Sequence, residues 1–285
     1  MELLIIGGDM RCAHLARLMH RRGERVRALL LDQACLPQAV CADREALDGA
    51  KCVLLTQPFK QKDGCVFAPL SEKKIRLESV WKHLPSDAKL LCVGAGGMPD
   101  DFARRMWITD LCEDEAFAQR NAQPTAEGAI HAAMSELDCT LSDSSCMVIG
   151  YGRIGRVLAR MLKGLGARVT VAARREESRA QAEADGQNTV DMGGMECMLA
   201  AQRVIFSTPP QQVLGEKQLA LVDKRALVID LASPPYGVDL EAAARLKVKA
   251  WRENGLPGRY SPKTAAEILL RAVQCAVKEE RRTKR

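Results

Sequence analysis

The sequence predicts an α/β protein with two parallel sheets, one in each half of the chain. Two stretches repeat one design: a short apolar strand, a glycine turn, an amphipathic helix and a second strand. The strands are rich in valine, isoleucine and leucine, as expected of strands buried on both faces. With 285 residues, 47% of them apolar, the chain is long enough to form two cores.

In the first half, strands are expected over residues 3–6, 26–31, 51–55 and 89–93, with helices over 10–22 and 75–84. In the second half, strands are expected over 146–149, 168–172, 203–206, 226–231 and 248–251. Helices there are expected from the glycine turn to about 163, and over 176–184 and 239–246. This alternation predicts parallel sheets with right-handed crossovers, that is, two Rossmann-like doubly wound domains.

Two long helices look like connectors between the sheets. One is expected over residues 124–138, and the other begins at Ser261-Pro262, a hydroxyl N-cap followed by proline in the first turn. The predicted domains are residues 1–123, a connector and linker over 124–144, and a nucleotide-binding domain over 145–261. We expect the helix over 262–285 to pack back on the first domain, with the active site in the cleft between the sheets.

The second glycine turn carries a G-x-G-x-x-G motif between a strand and a helix. In that setting Gly150 allows the tight turn, Gly152 lets the backbone approach a pyrophosphate, and Gly155 lets the helix pack on the strand. The helix start supplies amides and a positive dipole to the phosphates. The motif predicts dinucleotide binding, with the remaining contacts from Tyr151, Arg153 and Ile154.

The end of the following strand indicates which dinucleotide is bound. NAD sites place an acidic residue there for the ribose hydroxyls, whereas this strand ends in alanines followed by Arg174 and Arg175. Two guanidinium groups suit a 2′-phosphate, which favours NADP and leaves NAD as the alternative. Later strand ends would face the nicotinamide; their candidate residues are Ser207, Thr208, Pro209, Asp230 and Ala232.

Four residues are candidates for the substrate side of the cleft. Arg11 follows the first glycine turn and would bind a carboxylate, as would Lys263 in the first turn of the last helix. Thr125 and Glu127 begin the predicted connector helix, where Glu127 is either a general base or a carboxylate favoured by the helix start.

Composition argues against several other classes of protein. The net charge is +6, part of it in a basic stretch over residues 278–285, and no nucleic-acid motif accompanies that stretch. Eleven scattered cysteines and four histidines form no metal-binding pattern, so no metal site is expected. The cysteines are expected to be reduced thiols. No membrane span or signal peptide is visible, which predicts a cytoplasmic protein.

The chain resembles the A-type subunit of bacterial dipicolinate synthase over most of its length. The segments that carry the resemblance are IIGGDMR at residues 5–11, NAQPTAEGAI at 121–130, VIGYGRIG at 148–155, VTVAARR at 169–175, VIDLASPPYGVD at 228–239 and GLPGRYSPKTAAEIL at 255–269. The PTAEGA and LPG-x-x-x-PKTA elements are far more specific than the glycine motif.

The resemblance implies oxidation of a dihydrodipicolinate-type cyclic dicarboxylate, on a branch of lysine biosynthesis in spore-forming bacteria, to pyridine-2,6-dicarboxylate with hydride transfer to NADP. It also implies a flavoprotein-like B-type subunit of dipicolinate synthase as partner, and it leaves a homo-oligomer open. Two alternatives remain: another two-domain NADP oxidoreductase of the shikimate or 2-hydroxyacid dehydrogenase kind, and a non-catalytic nucleotide-binding scaffold. The absence of any histidine after His131 counts against the hydroxyacid version.

Overall fold

The chain folds into two compact units. The structure is a computed structural model that describes residues 2–96, 98 and 106–283. Unit 1 combines the chain up to Asn121 with the chain from Pro257 onward, and unit 2 is the continuous stretch Ala122–Leu256. Unit 1 is therefore assembled from two segments that lie far apart in sequence.

Unit 1 contains a five-stranded parallel sheet in the order β2-β1-β3-β4-β5. Its strands are β1 (Leu3–Ile6), β2 (Val26–Leu29), β3 (Cys52–Thr56), β4 (Lys89–Val93) and β5 (Trp107–Asp110). Helices α1 (Met10–Arg21) and α2 (Leu77–His83) and short 3₁₀ turns at Asp32–Ala34, Arg44–Leu47 and Leu111–Glu113 connect them. This is one of the two common strand orders of doubly wound sheets.

Unit 2 contains a six-stranded parallel sheet in the order β11-β10-β9-β6-β7-β8. Its strands are β6 (Ser145–Ile149), β7 (Arg168–Ala172), β8 (Asn188–Val190), β9 (Val204–Ser207), β10 (Leu227–Asp230) and β11 (Lys249–Arg252). One helix, α3 (Glu115–Glu136), lies between β5 and β6 in the chain. The helices that follow in unit 2 are α4 (Arg153–Gly164), α5 (Glu176–Ala184), α6 (Met192–Met198), α7 (Glu216–Leu219) and α8 (Leu240–Arg245), with a 3₁₀ turn at Leu199–Ala201. Read from β8, this is the strand order of a nucleotide-binding Rossmann sheet, so the predicted fold class is confirmed.

The connector helix α3 (Glu115–Glu136) begins nine residues before the start that the sequence predicts. The predicted helix starts at Pro124, a residue type that suits a helix start, but here the proline lies inside the helix. The true N-cap is Asp114, whose Oδ1 accepts hydrogen bonds from the backbone N–H groups of Ala116 (2.8 Å) and Phe117 (3.2 Å). The predicted start was therefore wrong, because an aspartate cap upstream determines where the helix begins.

Each sheet is buried on both faces, as its apolar strands require. In β1, Leu3 and Ile5 join one apolar cluster and Leu4 and Ile6 join the other, which follows from the two-residue period of a strand. In unit 2, Phe206 and Ile205 lie at the centre of the sheet, where both side chains are fully buried. The carboxyl ends of the central strands are therefore the positions left for ligands.

The last two helices, α9 (Leu256–Tyr260) and α10 (Pro262–Thr283), bring the end of the chain to unit 1. Helix α10 packs against α1, and its Ala266, Leu269 and Val273 are buried in the same cluster as Leu15. The basic stretch over 278–285 lies largely outside the residues whose side chains are described. No helix in the part of the chain that the structure describes is long and apolar enough to cross a membrane.

Candidate functional site

The glycine turn after β6 is shaped by two contacts that exclude side chains. Gly150 has a φ of +91°, in the region that favours glycine, and a Cβ there would overlap Oγ1 of Thr208. A Cβ on Gly155 would overlap the backbone carbonyl of Gly150. These two glycines therefore let α4 start directly against the end of β6.

Gly152 is different, because a Cβ there would meet nothing within 4 Å. It is the N-cap of the 12-residue helix α4, whose start has no side-chain cap and no acidic residue in its first turn. The backbone amides of this turn and the positive end of the helix dipole thus face open space, without a competing carboxylate in that turn. Arg153 and Ile154 belong to this first turn.

A cavity of about 550 Å³ opens at this helix start. Its volume is in the range of ordinary ligand sites. Predicted cofactor residues that line it are Gly150, Tyr151, Gly152, Arg174, Arg175, Thr208 and Pro209. Tyr151 lines the cavity, but its hydroxyl donates a 2.7 Å hydrogen bond to Oδ2 of Asp185. Burial, followed by that hydrogen bond, raises the pKa of the Tyr151 hydroxyl.

The end of β7 offers cations to the same cavity. Ala173 is buried where an acidic residue would bind ribose hydroxyls, and Arg174 and Arg175 follow it as exposed side chains. Arg179 holds this turn, since its guanidinium donates 2.9 Å hydrogen bonds to the carbonyls of Ala173 and Arg174. Arg179 was not predicted from the sequence, although its place one helical turn after Arg175 was a usable signal.

One carboxylate also lines the cavity. Glu196 lies on α6, and its Oε1 accepts a 2.8 Å hydrogen bond from Nε2 of Gln218. Glu196 was not predicted, because nothing in the local sequence pattern around it marks a ligand contact. The amides of α4 and the two arginines still make the cavity suitable for a dinucleotide with its phosphates, so the fold and the donor set fit such a group.

Four of the five predicted residues at the later strand ends either do not line the cavity or already have a structural partner there. Thr208 donates from its hydroxyl to the carbonyl of Ile149 at 2.9 Å. Ser207 is fully buried, and its Oγ has no hydrogen-bond partner among the described residues. Asp230 and Ala232 are buried too and are not among the residues that line the cavity.

Asp230 organises the loop that follows β10. Its carboxylate accepts hydrogen bonds of 3.2–3.3 Å from the backbone N–H groups of Ala232, Gly237 and Val238. It also forms an ion pair with Nε of Arg252 at 3.4 Å. The Arg252 guanidinium, at the end of β11, also lies 3.4 Å from the ring centroid of Tyr236 in this loop, which is a cation–π contact. Arg252 was not predicted, and only the three-dimensional fold reveals its role.

In unit 1, Arg11 is not an open guanidinium. It is buried, and Nε and Nη2 each donate a 2.9 Å hydrogen bond to the carboxylate of Asp9. Asp9 also caps α1 through the backbone N–H of Arg11. Gly258 of α9 lies against the pair, since a Cβ there would overlap both side chains. This packing explains how IIGGDMR and LPG, far apart in sequence, come together in one structure.

Lys263 lies elsewhere in unit 1. It is exposed in the first turn of α10 and lines a second cavity with residues of α1. Arg11 does not line that cavity, so the two predicted carboxylate anchors are not brought together there.

Thr125 and Glu127 lie in the middle of α3, not at its start. Thr125 is buried, while Glu127 is exposed and accepts a 3.1 Å hydrogen bond from Nε2 of Gln123. The interpretation of Glu127 as a carboxylate favoured by a helix start is therefore wrong, because the helix begins at Glu115. Its interpretation as a general base stays a prediction.

A Rossmann sheet with a glycine-turn cavity, in a chain that carries a second parallel sheet, defines a two-domain nicotinamide-nucleotide protein. Comparison with known families agrees with this class. Residues 115–239 match the NAD-binding domain of D-isomer specific 2-hydroxyacid dehydrogenases, and residues 2–104 match the N-terminal domain of the A-type subunit of dipicolinate synthase. The chain thus carries an NAD-binding domain and has an NAD(P) oxidoreductase-like role.

Individual relatives agree over nearly the whole length. The A-type subunit of dipicolinate synthase from Bacillus subtilis is 28% identical, with 94% of this chain and 93% of the relative covered. The crystal structure of the corresponding Bacillus halodurans protein superposes with a TM-score of 0.88 at 28% identity, over 95% of this chain and 96% of the other. The crystal structure of the B. subtilis protein superposes with a TM-score of 0.84 at 25% identity, over 98% of this chain and 96% of the other. This chain is therefore a relative of the A-type subunit of dipicolinate synthase, and the resemblance predicted from its motifs is confirmed.

Proposed function

We propose that this chain oxidises a dihydrodipicolinate-type cyclic dicarboxylate to pyridine-2,6-dicarboxylate, with NADP as the hydride acceptor. The relatives from dipicolinate synthase support the substrate class. The choice of NADP rests on the cavity at the start of α4. Arg174 and Arg175 line this cavity, and no acidic residue follows directly at the end of β7.

The reaction balances without any further oxidant. The dihydro ring loses one hydride and one proton, two electrons in all, and becomes aromatic. When bound, the nicotinamide ring supplies the hydride acceptor. Because aromatisation favours the product, the protein's residues need mainly to orient the substrate and to accept one proton.

The chain's residues divide into three roles in this proposal. Arg174 and Arg175 bind the 2′-phosphate, and the amides at the start of α4 bind the pyrophosphate. Lys263 binds one substrate carboxylate. Arg11 is the candidate for the other through Nη1, because Asp9 takes Nε and Nη2, although Arg11 does not line the cavity of Lys263. Glu127 accepts the proton. Thr125, two residues earlier in α3, is the remaining candidate residue on the substrate side.

The partners and setting of the reaction are part of the same proposal. We assign a flavoprotein-like B-type subunit as a second component and leave self-association to a measurement of mass in solution. The reaction belongs in the cytoplasm of a spore-forming bacterium, where the branch from lysine biosynthesis supplies the dicarboxylate. These statements rest on the family resemblance.

The cofactor assignment is tested by paired binding measurements with NADPH and NADH. Replacing both Arg174 and Arg175 with alanine is expected to weaken NADPH binding about 100-fold, roughly tenfold for each charged contact, and to change NADH binding less than about threefold. Arg160→Ala is the matched control, since Arg160 is exposed on α4 and outside the cavity. Equal losses for the two cofactors would contradict the assignment of the arginines to the 2′-phosphate.

The reaction itself is tested by following NADPH absorbance with dihydrodipicolinate freshly formed in the assay, with and without the B-type partner. NADPH formation together with pyridine-2,6-dicarboxylate is the expected result. Tight NADP binding without NADPH formation under either condition would instead support the scaffold alternative.

A 2-hydroxyacid dehydrogenase activity is the second candidate, because residues 115–239 match the NAD-binding domain of that family. Against it, no histidine follows His131 in the sequence, whereas such enzymes use a histidine–carboxylate pair as their acid–base. Turnover of D-lactate or a related hydroxyacid, with none of dihydrodipicolinate, would reverse the ranking.

A further inference from the structure

A cavity of about 690 Å³ lies in unit 1 between α1, the start of α10 and the loop around Cys35. None of the residues that line it also lines the nucleotide cavity of unit 2. On α1 the contributing positions are spaced at three and four residues, so His14, Arg17 and Arg21 follow one stripe of the helix. Lys263 and Glu267 also line the cavity, from α10.

The cationic side chains of this cavity have no ion-pair partner among the residues that the structure describes. Among those residues, no carboxylate oxygen lies within 4 Å of the side-chain nitrogens of Arg17, Arg21 or Lys263. Arg17 uses Nη2 on the backbone carbonyl of Ala34 and approaches Nδ1 of His14 at 3.5 Å. The carbonyl fixes the guanidinium in place while leaving its charge uncompensated.

The lining holds more positive than negative charge. Against these three cations, the cavity's described lining includes one carboxylate, that of Glu267, and the two histidines His14 and His20 add protonatable groups. The first turn of α10 contains no acidic residue, so the positive end of its dipole is not offset there. The surplus of positive charge is therefore a property of the cavity and not of one side chain.

The positive charge also affects a titratable group in the cavity. Burial, followed by the charges of Arg17, Lys263 and Arg21, lowers the pKa of His14. A bound anion would oppose those charge effects and raise the pKa of His14. By linkage, anion affinity should then rise as pH falls through the titration of His14.

We propose that this cavity binds a small, doubly charged oxyanion, either an organic dicarboxylate or a phosphate group. Three cations, two of them the fork-shaped guanidinium groups of Arg17 and Arg21, match such a group, and the volume suits a small-molecule ligand. In the dicarboxylate form, the inference rests on the proposed function, because Lys263 is also a candidate substrate anchor.

The test uses the full-length chain without cofactor and follows histidine ring signals in two-dimensional NMR during titration with sodium sulfate, which keeps its double charge across the pH range. Signals of His14 and His20 should shift, while those of His83 and His131, which lie outside the cavity, serve as internal controls. Sodium chloride at matched ionic strength separates binding from general screening.

Two arms distinguish the sources of the anion. Pyridine-2,6-dicarboxylate and inorganic phosphate are each used to displace sulfate, and whichever competes at the lower concentration identifies the chemistry of the natural ligand. The NMR titration measures anion binding and no turnover. Failure of the oxidation assay would therefore not affect the binding result, and absence of anion binding would not affect the result of the oxidation assay.

Variants assign the binding to the cavity. Arg21→Gln should weaken sulfate binding about tenfold, whereas Arg22→Gln, next in sequence, exposed and outside the cavity, should change it less than about twofold. His14→Gln should reduce the pH dependence while keeping binding at about pH 8, where the unperturbed imidazole is already neutral. Equal shifts of all four histidines, or the same response to chloride as to sulfate, would overturn the proposal, as would an unchanged affinity in Arg21→Gln.

Discussion

At the scale of single residues, the glycine motif of α4 combines two separate constraints. Gly155 is required by packing, since any Cβ there would overlap the carbonyl of Gly150. Gly152 has open space around it, so folding does not require glycine at that position. The requirement at Gly152 comes from the ligand, whose phosphates must approach the backbone.

This difference predicts opposite results for two alanine substitutions. Gly155→Ala should lower the free energy of unfolding by about 1–3 kcal/mol, because the helix must shift away from the turn. Gly152→Ala should leave the unfolding free energy within about 0.5 kcal/mol and weaken NADPH binding by more than about tenfold. Urea unfolding and NADPH titration measure the two effects.

The control for this pair lies at the other end of the same helix. Gly164 is the last residue of α4 and has nothing within 4 Å of a Cβ. Gly164→Ala should therefore be neutral or stabilising by up to about 1 kcal/mol and leave binding unchanged. Strong destabilisation by Gly152→Ala would show that packing, rather than the ligand, requires that glycine.

Burial also decides the chemistry of the cysteines, all eleven of which are free thiols. Burial raises the pKa of Cys12 and of Cys112 to about 11, and of Cys92 and Cys146 to about 12. A thiol with a pKa of about 11 is ionised to only about one part in a thousand at about pH 8, and the thiolate is the nucleophile.

Iodoacetamide at about pH 8 should therefore modify the folded protein selectively. The expected targets are the exposed thiols Cys35, Cys139, Cys197 and Cys275, while Cys12, Cys92, Cys112 and Cys146 stay unmodified. Peptide mass spectrometry after timed quenching gives the rates, and the same reaction in urea, where all thiols are accessible, is the control. Labelling of Cys12 at the rate of Cys35 would contradict the buried environment of α1.

At the scale of elements, the start of α3 depends on one aspartate. Asp114 accepts hydrogen bonds from the backbone N–H groups of Ala116 and Phe117, and its own carbonyl accepts from the N–H of Ala118 at 2.9 Å. These bonds satisfy donors that a helix start otherwise leaves unpaired.

Asp114→Ala should therefore cost about 1 kcal/mol of unfolding free energy, while Asp114→Ser should recover most of that loss. The exposed neighbour Glu113, changed to alanine, provides the control and should have little effect. The measurement is urea unfolding followed by far-ultraviolet circular dichroism. An unchanged stability in Asp114→Ala would mean that the helix does not depend on this cap.

How far the sequence predicted these elements depends on how apolar each one is. The central strands, such as β4 and β7, are largely apolar runs, and their predicted bounds match those of the structure. Strands β5 and β8 were not predicted, since both are edge strands that are short and partly exposed, so neither contains an apolar run.

The candidate site was predicted unevenly for a similar reason. The glycine turn and the arginines after β7 lie in one strand–helix–strand stretch, so a local motif reveals them. The pairing of Arg11 with Asp9 and the Arg252–Asp230 ion pair depend on how the backbone folds. No spacing rule in one sequence predicts those contacts.

At the scale of the whole molecule, the core of unit 1 depends on a helix from the other end of the chain. Leu269 on α10 is 2% exposed and belongs to the cluster that contains residues of α1 and β1. Leu269→Ala should lower the stability of unit 1 by about 2–5 kcal/mol, because it removes transfer free energy and leaves a cavity.

Hydrogen exchange detects where that stability is lost. Amides of β1, β3 and β4 should exchange faster in Leu269→Ala, while amides of β6, β9 and β10 in unit 2 should change much less. Arg271→Ala, two residues further along α10 and exposed, is the control. Equal acceleration in both sheets would show that the two units unfold as one.

The split origin of unit 1 has a consequence for synthesis on the ribosome. The chain emerges from the amino terminus at roughly 5–20 residues per second, so all of Ala122–Leu256 is available before α10. Unit 2, formed from continuous sequence, can fold while the first sheet still lacks Ala266, Leu269 and Val273. The first segment made is therefore the last to complete its core, and until α10 emerges its apolar face is a target for chaperones and proteases.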